Sequence, residues 1–220
     1  MNLLSTTSIF SFYTLISRVL GYVRDILIAF FLGASIFADA FFVAFRIPNT
    51  FRRLFAEGTF NAAFVPSYTS ENIKGKNYSQ KFADEVFNLL LISLLFIVLL
   101  AEIFTPFLVY LIAPGFFSNS EKFNLAIELT RITFPFLLFV SISSFFAGIL
   151  NSNNKFAAAA AAPIFLNLIL ILSLIISYYY KLDYALNLSY GVSLSGLVQL
   201  IFLMFFASKY YQPSLVFKKK

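Results

Sequence analysis

The chain has 220 residues, of which 60% are hydrophobic, 20% aromatic and 12% charged, and its formal net charge is +6. A soluble domain is closer to half apolar and a quarter charged, so this composition excludes an ordinary soluble globular protein. The sequence contains neither cysteine nor histidine, which excludes disulfides, thiolate chemistry and sites built on imidazole.

Six apolar segments are predicted along the chain, each long enough to cross a bilayer as a helix. The breaks between them are rich in Gly, Asn, Ser and Pro, which favour turns. Strands of membrane barrels alternate over about 10 residues, whereas these runs are longer and continuously apolar. The predicted fold is therefore an all-α polytopic membrane bundle of six transmembrane helices, over residues 8–32, 38–67, 82–113, 123–151, 156–180 and 184–208.

Charge is distributed unevenly among these segments. Ile132–Asn154 contains no charged residue over 23 positions, and Phe156–Tyr180 and Tyr184–Ser208 contain none over 25 positions each. The first two segments carry most of the charge within the predicted helices. The last three segments are accordingly the clearest membrane spans, and the first two are the weakest.

The lysines predict the orientation of the bundle. With a cytoplasmic N-terminus, eight of the ten lysines fall on the cytoplasmic side, as the positive-inside rule expects, and only Lys122 and Lys181 fall on the other. Both termini are then cytoplasmic, and residues 209–220 form a cytoplasmic basic tail. Because the lysines cluster at segment ends and form no stripe on a soluble face, the net charge does not indicate nucleic-acid binding.

The arginines follow the opposite pattern. All six lie inside the predicted segments, at positions 18, 24, 46, 52, 53 and 131. An arginine at the centre of a lipid-facing helix costs about 2.5–3.5 kcal/mol on insertion scales, so several of them require a protein interior or a watery cavity. Since the guanidinium fork donates in pairs to phosphate oxygens, an arginine-lined cavity indicates an anionic, phosphate-bearing cargo.

A structural role for the same charges is the alternative. Arginines of the second segment could extend to the membrane interface, and Arg131 is expected to anchor there. Helical spacing also places four residues on one stripe that would favour internal ion pairs, namely Asp39, Arg46, Arg53 and Glu57. Asp84 is expected to be a charge at the start of its helix.

Catalytic chemistry finds no support in the sequence. There is no glycine-rich phosphate loop, no cluster of metal-ligating residues and no pairing of a nucleophile with a base. We therefore predict no catalytic residue, no metal site and no cofactor, and the chain is not expected to be an enzyme.

Three stretches resemble the conserved signatures of the MurJ/MviN family of lipid flippases. Ser17–Asp25 (SRVLGYVRD) is similar to the family's first-helix signature, and Asp39–Asn49 (DAFFVAFRIPN) to its second. Phe51–Pro66 (FRRLFAEGTFNAAFVP) continues the second signature. Shorter matches follow at Ala113–Phe116, Arg131–Pro135 and Gly148–Asn151.

The resemblance implies a multi-pass flippase of the MOP exporter superfamily in the bacterial inner (cytoplasmic) membrane. Its cargo would be lipid II, the undecaprenyl-diphosphate-linked precursor used in peptidoglycan biosynthesis and cell wall biogenesis. Arg18, Arg24 and Arg52 match the family's cavity arginines, which hold the diphosphate and sugar headgroup. Asp39 and Glu57 match acidic residues linked to gating, and two further signature positions match in supporting roles, Asp25 and Asn49.

The extent of the chain differs from the family pattern. Family members have two lobes with the cavity between them, whereas this sequence supplies six predicted helices, which is one lobe. The expected partners are lipid II, membrane lipids and a second lobe that is absent from this sequence. Three alternatives stay open: an exporter of another anionic lipid-linked saccharide, a membrane enzyme acting on lipid diphosphates (disfavoured by the scattered acids), and a truncated nonfunctional fragment.

Overall fold

The structure, a computed structural model, describes residues 3–56 and 59–214, without the side chains of residues 3–7, 47, 51–56 and 59. The described residues form helices joined by short connections and include no strand, which confirms the all-α prediction. The α-helices are α1 (Leu3–Leu32), α2 (Ile36–Ala56), α3 (Thr59–Lys74), α4 (Lys76–Ile103), α5 (Thr105–Ile112), α6 (Ser120–Thr133), α7 (Pro135–Ser152), α8 (Phe156–Tyr180) and α9 (Tyr184–Ala207).

Four helical stretches in the described part of the chain are long and apolar enough to cross a membrane. They are Lys76–Ile103, Ser120–Ser152, Phe156–Tyr180 and Tyr184–Ala207. The predicted segment 38–67 includes parts of α2 and α3, between which residues 57–58 lie outside the described part, and the predicted segment 82–113 is divided between α4 and α5. The count of six membrane spans therefore stays a prediction.

Two helix ends show how the sequence stops a helix. Gly33, which follows α1, has a φ of +58°, and its N–H donates to the Ala29 carbonyl at 3.0 Å. Asn154, which follows α7, also has a φ of +58°, and the next N–H, of Lys155, donates to the Leu150 carbonyl at 2.8 Å. A left-handed residue at this position satisfies carbonyls that the helix leaves unpaired, and Gly and Asn adopt that conformation most readily.

A proline inside α2 is compensated by a neighbouring helix. Pro48 has no N–H, so the carbonyl of Ala44, four residues earlier, loses its helical partner. The hydroxyl of Thr133, at the end of α6, donates to that carbonyl at 2.9 Å. Thr133 is fully buried, so the bond replaces the missing backbone donor where water is excluded.

Helices α1 and α8 run parallel, and α9 returns antiparallel to α8. Near one end, the rings of Phe31 and Tyr178 lie 5.8 Å apart. Near the other end, Ile9 and Tyr13 line the same cavity as Ala157. The N-terminus of α1 and the start of α8 therefore lie at the same end of the bundle, with the end of α9.

Small residues allow α3 and α9 to approach α7 closely. A Cβ added at Gly148 of α7 would lie 2.8 Å from both Phe64 Cδ1 and Asn61 Oδ1 of α3. One added at Gly196 of α9 would lie 2.8 Å from Phe136 Cδ2 of α7. These glycines remove the side chain where two helices touch, as is common in membrane bundles.

After α9 the chain packs against α4. Residues 208–214, which we call the strap, bring Tyr211 into the core at 2% exposure. The Tyr211 hydroxyl donates to Asp84 Oδ1 at 2.7 Å, and the Ser214 hydroxyl donates to Asp84 Oδ2 at 2.9 Å. Burial and the adjacent Asp84 carboxylate both raise the pKa of the Tyr211 phenol.

The prediction that Asp84 is a charge at the start of its helix was wrong. Helix α4 begins at Lys76, two turns before Asp84, so this carboxylate is not a helix-start charge. It is buried and accepts hydrogen bonds that fasten the strap. The first residues of the predicted basic tail are therefore packed, and residues 215–220 of that tail lie outside the described part.

Candidate functional site

Helices α1 and α8 cross at a glycine. A Cβ added at Gly21 of α1 would lie 3.6 Å from Nδ2 of Asn167 on α8, at ordinary contact distance. The absence of a larger side chain at Gly21 leaves room for the Asn167 amide against the backbone of α1. Asn167 is 5% exposed, so its polar atoms require partners within the protein.

The Asn167 amide is hydrogen-bonded to two residues of α1, Arg24 and Ser17. Its Oδ1 accepts a hydrogen bond from Arg24 Nη1 at 2.8 Å, and its Nδ2 donates to the Ser17 carbonyl at 2.8 Å. Arg24 also donates to Asp25 Oδ1, from Nε at 2.9 Å and from Nη2 at 2.7 Å. The amide and the neighbouring carboxylate together fix the direction of the guanidinium.

This network lies at the middle of a helix that meets the criteria for a membrane span. Asn167 is the twelfth of the 25 residues of α8. At 1.5 Å per residue it is roughly 17 Å from one helix end and roughly 20 Å from the other. Arg24 is thus held against the middle of α8, and an arginine at such a position in an apolar layer requires polar partners.

The guanidinium of Arg24 is only partly engaged. The Arg24 side chain is 17% exposed and that of its ion-pair partner Asp25 is 62% exposed. A guanidinium has five N–H donors. Three are used by Asn167 and Asp25, which leaves one on Nη1 and one on Nη2 for a ligand.

Arg18 is exposed and lines a separate, open cavity. The cavity has a volume of about 390 Å³ and is lined by residues of α1, α3, α7, α8 and α9. Arg18 is the one charged residue among those lining it, and it forms no ion pair with any described residue. Seven neutral polar side chains share the lining: Thr14, Ser17, Asn61, Ser143, Ser144, Asn151 and Gln199.

The chemistry of this cavity is that of an anion site with hydrogen-bonding walls. An uncompensated guanidinium attracts an anionic group and donates to its oxygens. Hydroxyl and amide side chains can bind the hydroxyls of a saccharide, and a small number of such groups among apolar ones sets the orientation of a ligand. The site therefore suits a polar, anionic ligand.

The structure separates Asp39 from these arginines. Asp39 lies in the first turn of α2, and its Oδ2 is 2.5 Å from Nζ of Lys122 in α6. The Lys122 ammonium also lies 4.3 Å from the centre of the Phe116 ring. This ion pair sits at the end of the bundle where α1 passes into α2.

The remaining predicted site residues lie along α2 or beyond it. Asn49 directly follows Pro48 and is half-buried. Arg52 belongs to α2, but its side chain falls outside what the structure describes, and so does all of Glu57. Arg24, Asp25 and Ser17 are brought together, Arg18 lies beside them, and the placement of Arg52 in the site stays a prediction.

Two important partners were not predicted from the sequence. Asn167 is a lone amide within the uncharged segment 156–180, and an amide in such a setting is itself a signal of an interhelical bond. Lys122 was assigned to a loop facing away from the cytoplasm, and nothing in its sequence neighbourhood pairs it with Asp39, 83 residues earlier.

Apolar helices of membrane-spanning length, with a cationic cavity and a guanidinium enclosed between them, define a multi-pass α-helical membrane protein. The profile of the family described as "Lipid II flippase MurJ" matches residues 28–219. The chain belongs to that family, as the resemblance of its first helices predicted.

Curated relatives and a solved structure support the same family assignment. The chain is 45% identical over 192 residues to "Probable lipid II flippase MurJ" of Rhizobium tropici, which covers 85% of this chain and 36% of the relative. It is 39% identical over 210 residues to "Probable lipid II flippase MurJ" of Rickettsia prowazekii, which covers 95% of this chain and 41% of the relative. The chain thus spans less than half the length of these relatives.

The solved structure titled "Lipid II flippase MurJ, inward closed conformation" superposes with a TM-score of 0.79 at 30% identity. The superposition covers 94% of this chain and 43% of the other. The fold of the described helices is therefore that of a part of a larger flippase.

Proposed function

We propose that this chain forms one lobe of a lipid II flippase and binds the diphosphate and sugar headgroup of that undecaprenyl-linked lipid. The observation that carries the proposal is the Arg18 cavity, in which one unpaired guanidinium faces seven neutral polar side chains and no carboxylate. A carboxylate in the lining would compete with an anionic ligand for the guanidinium. Its absence from the lining leaves Arg18 available for phosphate oxygens.

Each arginine has a distinct part in this proposal. Arg18 binds the diphosphate directly, and Arg24 adds its two remaining donors from the neighbouring position on α1. Arg52 is proposed to complete the cationic set from α2. The polyprenyl tail stays in lipid, no covalent bond is made or broken, and rocking of this lobe against a second lobe moves the headgroup across the membrane.

The acidic residues and Asn49 are proposed to orient the arginines, to act in gating and to support α2. Asp25 orients Arg24 and balances part of its charge, since it accepts two of its hydrogen bonds. Asp39 acts in gating together with Glu57, and its ion pair with Lys122 holds α2 to α6 at one end of the bundle. Asn49 supports α2 next to Pro48, beyond which the helix continues to Arg52.

The proposed location is the bacterial inner membrane, with both termini in the cytoplasm. In support, Lys155 precedes α8 and Lys209 follows α9, so both lie at one end of the bundle, and Lys181 lies at the opposite end of α8. The chain has no cysteine, so Lys155→Cys and Lys181→Cys each give a single label site. A membrane-impermeant maleimide added to intact spheroplasts is expected to label Lys181→Cys alone; labelling of Lys155→Cys alone contradicts the orientation.

Binding to the purified chain tests the cargo and the residues. In lipid nanodiscs, lipid II is expected to bind the parent chain, and Arg18→Ala to weaken binding about 10-fold, the effect of a charged hydrogen bond. Arg24→Ala and Arg52→Ala are expected to act in the same direction. Arg131→Ala is the matched control, because Arg131 is exposed in the last turn of α6 and does not line the cavity.

A second experiment tests transport with a fusion of this chain to the remaining part of the Rhizobium tropici relative. This fusion is expected to sustain growth of a flippase-depleted strain, and the same fusion with Arg18→Ala is expected to fail at equal membrane abundance. Unchanged lipid II binding in all three alanine variants would refute the assigned roles. Stronger binding of another anionic lipid-linked saccharide, at equal concentration, would replace lipid II as the cargo.

A further inference from the structure

A second cavity opens between α1, α8 and α9, away from the arginines. Its volume is about 510 Å³, and its walls are mostly apolar and aromatic: Ile9, Tyr13, Leu150, Phe156, Ala157, Ala158, Ala161, Phe202, Phe205 and Phe206. Asn154, Lys155, Lys209 and Tyr210 complete the lining at one end. We call this cavity the groove. It is amphipathic along its length, since its charged residues lie where α8 begins and α9 ends.

A polar pocket adjoins the charged end of the groove. This basic pocket has a volume of about 380 Å³ and is lined by Lys76, Gln80 and residues 208–212. Lys209 and Tyr210 line both cavities, so the groove and the pocket adjoin at these two residues. An apolar groove that adjoins a basic pocket is complementary to an amphiphile with an apolar chain and an anionic headgroup.

The charges in this region are of one sign. The two linings contain Lys76, Lys155 and Lys209 and no carboxylate. None of the three lysines forms an ion pair with any residue in the described ranges. Asp84 does not line either cavity, and its oxygens accept hydrogen bonds from Tyr211, Ser214 and Gln80. The lysines are thus available for an external anion.

The position of the groove fits a lipid of the surrounding membrane. Lys155 immediately precedes α8 and Lys209 lies two residues beyond α9, so the ammonium groups are at the depth of lipid headgroups. Phe202, Phe205 and Phe206 lie within α9, where acyl chains run. Tyr13 and Tyr210 offer apolar rings with polar tips, which membrane interfaces favour.

We propose that the groove and the basic pocket form a binding site for an anionic phospholipid with a single phosphodiester, such as phosphatidylglycerol. An acyl chain occupies the groove, and the phosphate is bound by Lys155 and Lys209, with Lys76 beyond them. This site is distinct from the Arg18 cavity, with which the groove shares only Phe156 among its lining residues. Lys155 and Lys209, which contact the phosphate, are each expected to change the association constant roughly 5-fold.

The absence of tryptophan allows a direct test in the full chain. Phe205→Trp places one reporter in the groove at a position that is 72% exposed. Tyr179→Trp places a control reporter at the opposite end of α8, where the side chain is 76% exposed. Each variant is reconstituted into phosphatidylcholine bilayers containing either acyl-brominated phosphatidylglycerol or acyl-brominated phosphatidylcholine, and quenching gives the relative association constants.

At Phe205→Trp, phosphatidylglycerol is expected to be preferred at least 5-fold, and at Tyr179→Trp the preference is expected to be near one. Adding Lys155→Gln and Lys209→Gln is expected to abolish the preference at Phe205→Trp, whereas the matched Lys181→Gln leaves it unchanged. Unaltered quenching by phosphatidylcholine in the glutamine variant shows that the groove is still folded.

Three results would overturn the proposal: equal association constants for the two phospholipids at Phe205→Trp, a preference that survives removal of both lysines, or displacement of brominated phosphatidylglycerol by stoichiometric lipid II. The last result would assign the groove to the cargo. Lipid II binding that depends on Arg18 is a separate measurement, so the proposed function and this site can fail independently.

Discussion

Arg24 and Asn167 lie 143 residues apart in the chain, and a 2.8 Å hydrogen bond from Nη1 to Oδ1 joins them across α1 and α8. The acceptor is a neutral amide, so the bond directs the guanidinium without neutralising its charge. A carboxylate at position 167 would also hold the side chain, but it would reduce the attraction for an anion.

Removal of the Asn167 amide tests this positioning. Asn167→Leu is expected to lower the free energy of unfolding by about 1–2 kcal/mol, because it leaves Arg24 with one bond fewer and the Ser17 carbonyl without its side-chain donor. Its effect in an Arg24→Met background is expected to be clearly smaller. A double-mutant cycle by reversible unfolding in mixed micelles measures the coupling, and a coupling energy of zero would contradict a direct link.

The Thr133 bond to Ala44 gives a second prediction. Thr133→Val removes the donor to the carbonyl that Pro48 leaves free and is expected to cost about 1 kcal/mol. Thr133→Ser keeps the hydroxyl and is the control. In a Pro48→Ala background the backbone regains its own N–H, so the same Thr133→Val change is expected to cost much less. Equal costs in both backgrounds, measured by thermal unfolding in detergent, would argue against the compensation.

Close packing at Gly148 gives a third prediction. Gly148→Ala would place a methyl group 2.8 Å from the Phe64 ring and is expected to destabilise the chain by about 1–3 kcal/mol. Gly115→Ala has open space within 4 Å and serves as the matched control. The midpoint of thermal unfolding is the measurement, and indistinguishable midpoints for the two variants would show that α3 and α7 are not in tight contact.

The strap gives a pH-dependent prediction. Burial raises the pKa of Tyr211, so the folded state keeps the phenol neutral while the unfolded chain ionises near pH 10. Stability from this contact is therefore full below about pH 10 and is lost as the pH rises further. The rate of backbone amide hydrogen exchange in residues 208–214, relative to the rate of an unstructured chain at the same pH, is expected to rise above that pH. Tyr211→Phe should remove this pH dependence and cost about 1.5–3 kcal/mol, because Asp84 loses a donor. A pH profile identical to that of the parent chain would exclude Tyr211 as the titrating group.

Hydrophobic run length was the most predictive feature of the sequence. The uncharged run Phe156–Tyr180 is α8, because a long apolar stretch without charges has one low-energy form in lipid. The same argument could not place the break at Phe134 between α6 and α7, where Pro135 begins the second helix.

The sequence also could not predict which residues the site arginines and Asp39 contact, because those contacts depend on helix packing. The cost of burying arginine predicts from sequence context alone that Arg18 and Arg24 face a cavity, but it does not identify their partners. Asn167 and Lys122 are distant in sequence from Arg24 and Asp39, and only the packing of α8 on α1 and of α6 on α2 brings them together. Asp84 was misassigned because its donors come from Tyr211 and Ser214, at the far end of the chain.

The parallel pairing of α1 with α8 has a consequence for biogenesis. A ribosome that adds 5–20 residues per second completes Asn167 roughly 7–30 s after Arg24. During that interval the first helix is already made, and its arginine has Asp25 beside it but not the amide that later receives it. Newly made α1 therefore carries Arg24 without its amide partner until α8 has been synthesised.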